Sequence, residues 1–455
     1  MNFRVPARRH WMSCVAGALL LGCGDHALIG PEPDLELRAA RPTGGGGGGP
    51  TVKSASPSSG PRGTTLSVRI LGSGYSAGSK ASWALNGDTA FAITKVRVNS
   101  TTFISSSELV ASISIDEGAA LDLFDILVVT PTGKKGIGIE LFEVTVQIID
   151  LGAGEGSFAE AVNDAGQIVG WGGSGGAFLW ENGVLRSLGV LPGMTWSSAF
   201  DINNSGQVVG ASSAASGTQT AFVWTAADGM VPLPGSLGGT RSFAWAINDN
   251  GDVVGEATLL GDSIYHAVLW RNGAMIDLQA STFGGGSSRA LDINELGEIV
   301  GDYDGVSQQR AFRWTAASGM QLILPLVGGG EEAIGIGSSG TIVGWSSLVA
   351  SGPLIAYVWT NGALQHLGTL GGSSSVAMAS NNAGTVVGRA DTGSRKGGTP
   401  QQLAFFWTAG TGMKALPMPA GRTSAWAFDI NENDWIVGAS KTSGGNYHAT
   451  LWQMN

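Results

Sequence analysis

The sequence predicts an all-β protein: a small sandwich followed by a seven-bladed β-propeller with four-stranded blades, the ring closed by a strand that precedes the first blade. Three observations predict it. A ten-residue element, Ala161 to Gly170, recurs at Asp201 to Gly210, Ala246 to Gly255, Asp292 to Gly301, Gly335 to Gly344, Ala379 to Gly388 and Asp429 to Gly438. A second element, ending in Trp180, Trp224, Trp270, Trp314, Trp359, Trp407 and Trp452, follows each copy, with Trp spacings of 44 to 48 residues, the period of four-stranded blades. Gly makes up 73 of 455 residues, while 43% of the chain is hydrophobic and 13% charged, so turns are dense and core material is ample.

The chain opens with an address. Arg4, Arg8 and Arg9 precede a short apolar run, Trp11 to Leu21, which is too short to span a bilayer and reads as a signal peptide over residues 1–22. Its end, Leu20-Leu21-Gly22-Cys23, resembles a bacterial lipobox, although Leu21 is larger than the usual Ala or Ser. The resemblance implies a lipid on Cys23, and acyl chains anchor without a spanning helix. Residues 23–50, with Pro31, Pro33, Pro42 and the run Gly44 to Gly49, cannot build a core and read as a tether. The expected location is the cell envelope, at the outer membrane or cell surface.

Residues 51–145 alternate short strand-like runs, Thr65 to Leu71, Ala90 to Ile93 and Phe124 to Val129, with Gly, Pro, Ser and Asn. The stretches Ser56 to Gly63, Gly72 to Tyr75 and Val128 to Gly133 resemble an IPT/TIG domain, which implies an Ig-like sandwich. Gly74-Tyr75-Ser76-Ala77-Gly78 matches a nucleophile-elbow pattern, but neither a helix nor a His follows it, so a turn between strands explains it.

Residues 146–455 carry the repeats. Between the first two strands of each unit stands a turn, Asn-x-x-Gly. It pairs Asn163 with Gly166, Asn203 with Gly206, Asn248 with Gly251, Asn294 with Gly297 and Asn381 with Gly384; Asn431 keeps the Asn, and Gly337 and Asp434 are the exceptions. Asn182-Gly183, Asn272-Gly273 and Asn361-Gly362 mark tight hairpins after the Trp strand. Pro232, Pro325 and Pro417 fall in fourth strands, which places those strands at the outer edge. The chain ends where the last fourth strand should begin, and Ile148-Ile149-Asp150-Leu151, akin to Met275-Ile276-Asp277-Leu278, stands before the first unit. A ring closed by that strand reconciles the two. The region resembles HAF repeats, with His266-Ala267-Val268, His448-Ala449-Thr450, Thr220-Ala221-Phe222 and Arg310-Ala311-Phe312 as degenerate copies of the naming triplet and Leu-Gly-Gly at Leu237 to Gly239 and Leu370 to Gly372. The family implies export and repetition and no established activity.

The net charge of −10 argues against nucleic acid as a partner. Five His and two Cys, Cys14 and Cys23, leave little material for metal or acid–base chemistry, and no cofactor or metal is expected. Asn248 to Asp252 has oxygens at alternate positions, as in a calcium loop, but the pattern does not recur and turn geometry accounts for it. His266 and His448 head third strands with no acid at repeat spacing. Asp201, Asp292 and Asp429 form a partial acidic ring if first strands line a channel. Length varies most between strands two and three, and the longest such loop, Arg389 to Leu403, offers Arg389, Arg395 and Lys396 as ligand candidates. The Trp and turn residues are structural. The expected function is that of a monomeric, lipid-anchored, non-enzymatic surface protein, with the propeller binding a glycan or protein and the sandwich as spacer. The alternative is a polysaccharide-degrading propeller enzyme, which should gather acids, His or Tyr at one mouth; no such cluster is visible in the sequence.

Overall fold

The computed structural model describes residues 48–85, 95–116, 119–120, 122–173, 175–279, 286–304, 308–323, 329–347, 349, 352–393 and 401–454. The protein is all-β, and among the described residues no helix is long and apolar enough to cross a membrane. Cys23, Arg395 and Lys396 lie outside the described residues, as do Pro325 and Ala90 to Ile93.

Residues 51–145 form two four-stranded sheets. One orders Thr51–Ser56, Thr65–Ser73, Glu108–Ile115 and Val96–Ser105; the other orders Ser59–Pro61, Lys135–Thr145, Leu123–Val129 and Lys80–Leu85. Alternate residues of Glu108–Ile115 are buried, as a half-buried strand requires. Val68, Ile70, Trp83, Ile113, Phe124 and Phe142 fill the core between the sheets, with Trp83 and Phe142 edge-to-face at 6.0 Å. The elbow-like pattern is a turn, closed by Ser79 N–H donating to Ser76 O at 2.9 Å.

The remaining strands form five sheets of four and one of eight. The larger sheet is two repeats joined by a single parallel bridge, Gln219 with Arg241. Each sequence repeat is thus one four-stranded unit. Unit one comprises Phe158–Val162, Ile168–Gly172, Gly176–Glu181 and Val184–Ser187. The first strands of units two to six are Trp196–Ile202, Gly238–Ile247, Ser288–Ile293, Glu331–Ile336 and Gly371–Ser380. Unit seven has Arg422–Ile430, Trp435–Thr442 and Tyr447–Gln453, and its fourth strand is Gln147–Asp150, in antiparallel register with Ile148 opposite Trp452 and Ile149 opposite Leu451.

Turn chemistry sets these boundaries. The N–H groups of Gly166, Gly206, Gly251, Gly297 and Gly384 donate to the carbonyls of Asn163, Asn203, Asn248, Asn294 and Asn381 at 2.9–3.0 Å. All five Gly take the left-handed conformation, with φ of 73–80°. The two exceptions keep the same geometry. In unit five Gly340 N–H donates to Gly337 O at 2.9 Å, and in unit seven Asp434 holds the left-handed position at φ 55°. Asn182, Asn272 and Asn361 have φ of 50–53° and are each followed by a Gly of positive φ, as two-residue hairpins require. Pro232 ends a fourth strand, opposite Phe222.

Packing follows the repeat. Apolar clusters lie between consecutive units, each holding one repeat Trp: Trp224 between units one and two, Trp270, Trp314, Trp359, Trp407 and Trp452 between the following pairs, and Trp180 between units seven and one. Trp180, Trp224, Trp270, Trp407 and Trp452 are buried, while Trp314 and Trp359 are half-buried. One further cluster gathers side chains from all seven units, among them Phe158, Phe200, Trp245, Leu291, Ile334, Met378 and Phe428.

The sandwich joins the repeats without a spacer. Val146, the residue between Lys135–Thr145 and Gln147–Asp150, is buried against Leu416 and Trp452. From the sandwich, Arg62 donates through Nη1 to the carbonyl of Met454.

Candidate functional site

Every first strand carries the same bulge, an extra residue just ahead of the turn: Glu160, Phe200, Trp245, Leu291, Ile334, Met378 and Phe428. A bulge re-aims its side chain, and here all but Glu160 meet in the cluster common to the seven units. Next to the bulge, the Gly ending each second-strand Val-Gly pair approaches the facing carbonyl so closely that a Cβ on Gly255 would lie 1.9 Å from Phe243 O, with similar distances at Gly170, Gly210, Gly301, Gly344, Gly388 and Gly438. That contact is why the repeat keeps this Gly.

One residue further from the turns, directly opposed pairs differ from unit to unit: Phe158/Trp171, Ser198/Ala211, Phe243/Glu256, Arg289/Asp302, Glu332/Trp345, Val376/Arg389 and Trp426/Ala439. The third strand places an Ala opposite the second member in every unit, leaving room for Trp, Arg or carboxylate there. Units three to five gather charge. Arg289 forks onto Asp302 with two bonds of 2.7 Å and lies 3.8 Å from Glu332, all three buried. Burial opposes the guanidinium charge, but Asp302 and Glu332 outweigh it and raise its pKa. Glu332 also accepts from Trp345 Nε1 at 2.6 Å, and its carbonyl accepts from Tyr357 Oη at 3.1 Å. Burial pushes the Tyr357 phenol well up. Glu331 takes Arg310 at 3.1 Å. Units seven and one supply rings, Phe158 to Trp171 at 4.7 Å, Phe158 to Tyr447 at 5.4 Å and Trp426 to Tyr447 at 5.0 Å, and unit six sets Arg389 5.0 Å above Trp426. Trp426 and Tyr447 are only half-buried. A buried gathering of acids with Arg289 and Tyr357, which the sequence hid, is therefore present. Its residues lie on different strands and in different units, far apart in sequence, so only the pairing of the strands reveals it.

The structure corrects two readings. Arg389 stands in the strand Val386–Thr392 and not in the loop that follows. His266 and His448 do have acids at repeat spacing: His266 Nδ1 meets Asp277 at 2.9 Å, and His448 Nδ1 meets Asp150, the equivalent residue of the strand before unit one, at 2.9 Å.

At the other end, the turn Asn side chains link consecutive units. Asn163 Nδ2 donates to Asn203 O at 3.1 Å, Asn203 to Asn248 O at 3.1 Å, Asn248 to Asn294 O at 3.0 Å and Asn294 to Gly337 O at 3.2 Å. Asn381 donates to Asn431 O at 3.3 Å, and Asn431 returns to Asn163 O at 2.9 Å. Gly206, Gly251, Gly297 and Gly384 close their turns through the backbone. In the calcium-like turn Asp252 pairs with Arg271 at 2.6 Å. The three aspartates bridge first strands: Asp201 accepts from Ile247 N–H at 2.8 Å, Asp292 from Ile336 N–H at 2.7 Å and Asp429 from Val162 N–H at 2.9 Å. Enclosure by protein, then the charges of Asp429 and Asp292, hold the Asp201 carboxyl well above the ordinary carboxylate range. Among the described residues no group of three or more His, Cys, Asp or Glu is placed to hold a metal.

A further recurring device escaped the sequence reading. Ser157, Ser197, Ser242, Ser288 and Ser375, two residues before the first-strand Ala, accept from the third-strand Ala N–H of the preceding unit at 2.9–3.2 Å. The signal was a Ser-x-Ala triplet in five of the seven repeats.

No family model and no curated protein matches the chain. Among solved structures it is similar to TolB from Acinetobacter baumannii, at 12% identity and a TM-score of 0.34 over 54% of this chain, spanning 63% of TolB. It is also similar to a DUF4784 family protein from Bacteroides caccae, at 12% identity and a TM-score of 0.28 over 69% of this chain and 94% of that one. A further similarity, at 14% identity and a TM-score of 0.31, is to an arginine-to-alanine mutant of AofleA from Arthrobotrys oligospora, over 69% of this chain and 90% of that one.

Proposed function

We propose that the chain is a lipid-anchored, non-enzymatic surface protein whose repeats form a closed seven-bladed propeller, carried on an Ig-like sandwich, and that the propeller binds its ligand at the mouth away from the turns. The single observation that carries the binding reading is the seven opposed pairs: the scaffold repeats around them while their chemistry changes from pair to pair, as in sites held on rigid frames. Arg62 brings the sandwich to the turn end, and this reading puts the ligand at the opposite end, beside Trp426 and Tyr447. The ligand class is a glycan or a protein of the cell's surroundings.

The test is glycan-array binding and pull-down with the full chain and with Trp426→Ala/Tyr447→Ala. Loss of the captured ligand in the double variant supports this mouth; full retention rejects it. For the anchor, Cys23→Ala should leave the membrane fraction, and its retention there after a high-salt wash would refute lipid attachment. Arg289 held between Asp302 and Glu332 favours a second reading, polysaccharide cleavage, in which polysaccharide-degrading activity would be lost in Glu332→Gln.

A further inference from the structure

Beyond that mouth, we propose a second binding site, for a neutral saccharide unit, in the cleft between the sandwich and unit seven. A cavity of about 490 Å³ opens there, lined by Arg62 from the sandwich and by Gln147, Asp164, Asn433, Trp435 and Gln453 from the repeats. Its size suits one or two sugar rings, and domain seams are where such pockets concentrate.

The floor is a row built by strand register. Trp435 is directly opposite Gln453, and Gln453 directly opposite Gln147. Directly opposed residues of antiparallel strands share a face, with Cβ atoms about 5 Å apart. An indole and two amides therefore stand side by side across three strands. In units one and three the corresponding residues close on each other: Gln167 bonds Glu181 at 2.9 Å, and Arg271 pairs with Asp252 at 2.6 Å. In unit seven the side-chain amides of Gln147 and Gln453 are engaged by no described group, and Trp435 replaces a polar residue just where Asp434 breaks the Asn-x-x-Gly turn.

The chemistry of this row fits hydroxyl groups. A sugar hydroxyl both donates and accepts, and a side-chain amide answers both roles. Trp435 offers a ring against which the C–H face of a pyranose stacks. Gly166 of unit one holds that ring in place: a Cβ on Gly166 would lie 2.7 Å from the indole, so the bare backbone seats it across the seam. Arg62 closes the roof, held by Ala119 O at 2.6 Å and by the Met454 carbonyl. Burial lowers the Arg62 pKa, with Asp434 opposing that effect. The facing charges, Arg62 against Asp164 and Asp434, leave no large excess of positive charge to call for an anionic sugar.

The experiment is calorimetric titration and saturation-transfer NMR of the full chain with methyl glycosides of glucose, galactose, mannose, N-acetylglucosamine and N-acetylgalactosamine. At least one should bind, and Trp435→Ala should weaken it by roughly tenfold or more, the loss of one stacked ring and its hydrogen-bond neighbours. Gln147→Ala/Gln453→Ala removes side chains with no structural partner, so it should weaken binding similarly while leaving the melting temperature unchanged. Trp426→Ala/Tyr447→Ala, at the opposite mouth, should leave this binding intact. Absence of binding by every glycoside, or unaltered binding in the Gln147→Ala/Gln453→Ala protein, would overturn the proposal without touching the reading of the other mouth.

Discussion

At the residue scale, the turn relay has one gap, and the gap is testable. Six Asn side chains pass a hydrogen bond from unit to unit, but unit five has Gly337. A Cβ on Gly337 would meet Ser380 Oγ at 3.6 Å, an ordinary contact, and among the described residues buried Ser380 Oγ has no hydrogen-bond partner. Gly337→Asn should therefore stabilise the fold by about 1 kcal/mol, through one added bond and a less flexible unfolded chain, read as a higher urea midpoint at unchanged slope. Asn431→Ala should do the reverse. It removes the donor to Asn163 O and the acceptor for Trp435 N–H, both at 2.9 Å, and should cost about 1–3 kcal/mol. Asp201 supplies a pH test. Its pKa is raised in the fold, so the folded state holds that proton more tightly than the unfolded state. Stability from this group is therefore greatest in acid and is lost as pH climbs from the unfolded value, about 4, through the raised folded value. The melting-temperature difference between wild type and Asp201→Ala should move in favour of wild type as pH falls from 8 to 5; movement the other way would contradict the enclosed, mutually repelling trio.

At the element scale, the bulge and its Gly decide where chemistry can stand. The close approach at Gly255 leaves no room for a methyl, so Gly255→Ala should cost about 1–3 kcal/mol or more, as overpacking does, and the same change at Gly175, where a Cβ would meet nothing within 4 Å, should cost far less. Equal losses in denaturant titrations of the two variants would reject the bulge as the reason for the invariant Gly. The two-residue hairpins, the Asn turns and the repeat Trp were legible in the sequence because each depends on local backbone chemistry or on a side chain repeated in every unit. The bulge was not legible. Its residue varies from Glu160 to Trp245, and what defines it is a register shift against a partner strand, visible only once pairing is known. The buried charged cluster stayed hidden for a related reason: Arg289, Asp302 and Glu332 are apart in sequence and meet because opposed strands and adjacent units bring them together. The His266–Asp277 and His448–Asp150 pairs were within reach, since both Asp residues follow the same Ile, but the second partner precedes its His by 298 positions.

At the scale of the whole molecule, the segment Gln147–Asp150 carries two loads. It is the fourth strand of unit seven, four residues paired from Thr450 to Gln453. It is also the sole covalent route from the sandwich into the repeats, entered through buried Val146. Its side chains and the Leu151 that follows divide between two seams: Ile148 packs with Trp452 and Leu416 on the side of unit six, while Ile149 and Leu151 pack with Phe178, Trp180 and Leu451 on the side of unit one. Asp150 adds His448 at 2.9 Å and Arg422 at 2.8 Å. Removing residues 146–152 should uncover both seams and leave Tyr447–Gln453 as an unpaired edge, prone to pairing with another chain. The cost should be several kcal/mol, the order expected for exposing three or four buried apolar side chains at roughly 1.5–3 kcal/mol each. Replacing Ile149 and Leu151 by Asp keeps the backbone pairing and the covalent link but puts two carboxylates into the apolar seam with unit one, so it should act similarly and should loosen units seven and one first. Hydrogen exchange checks the order: amides of Phe158–Val162 and Tyr447–Gln453 should lose protection before those of units three to five. Uniform loss across the units would mean that the strand acts through global stability alone and not as the clasp between the first unit and the last.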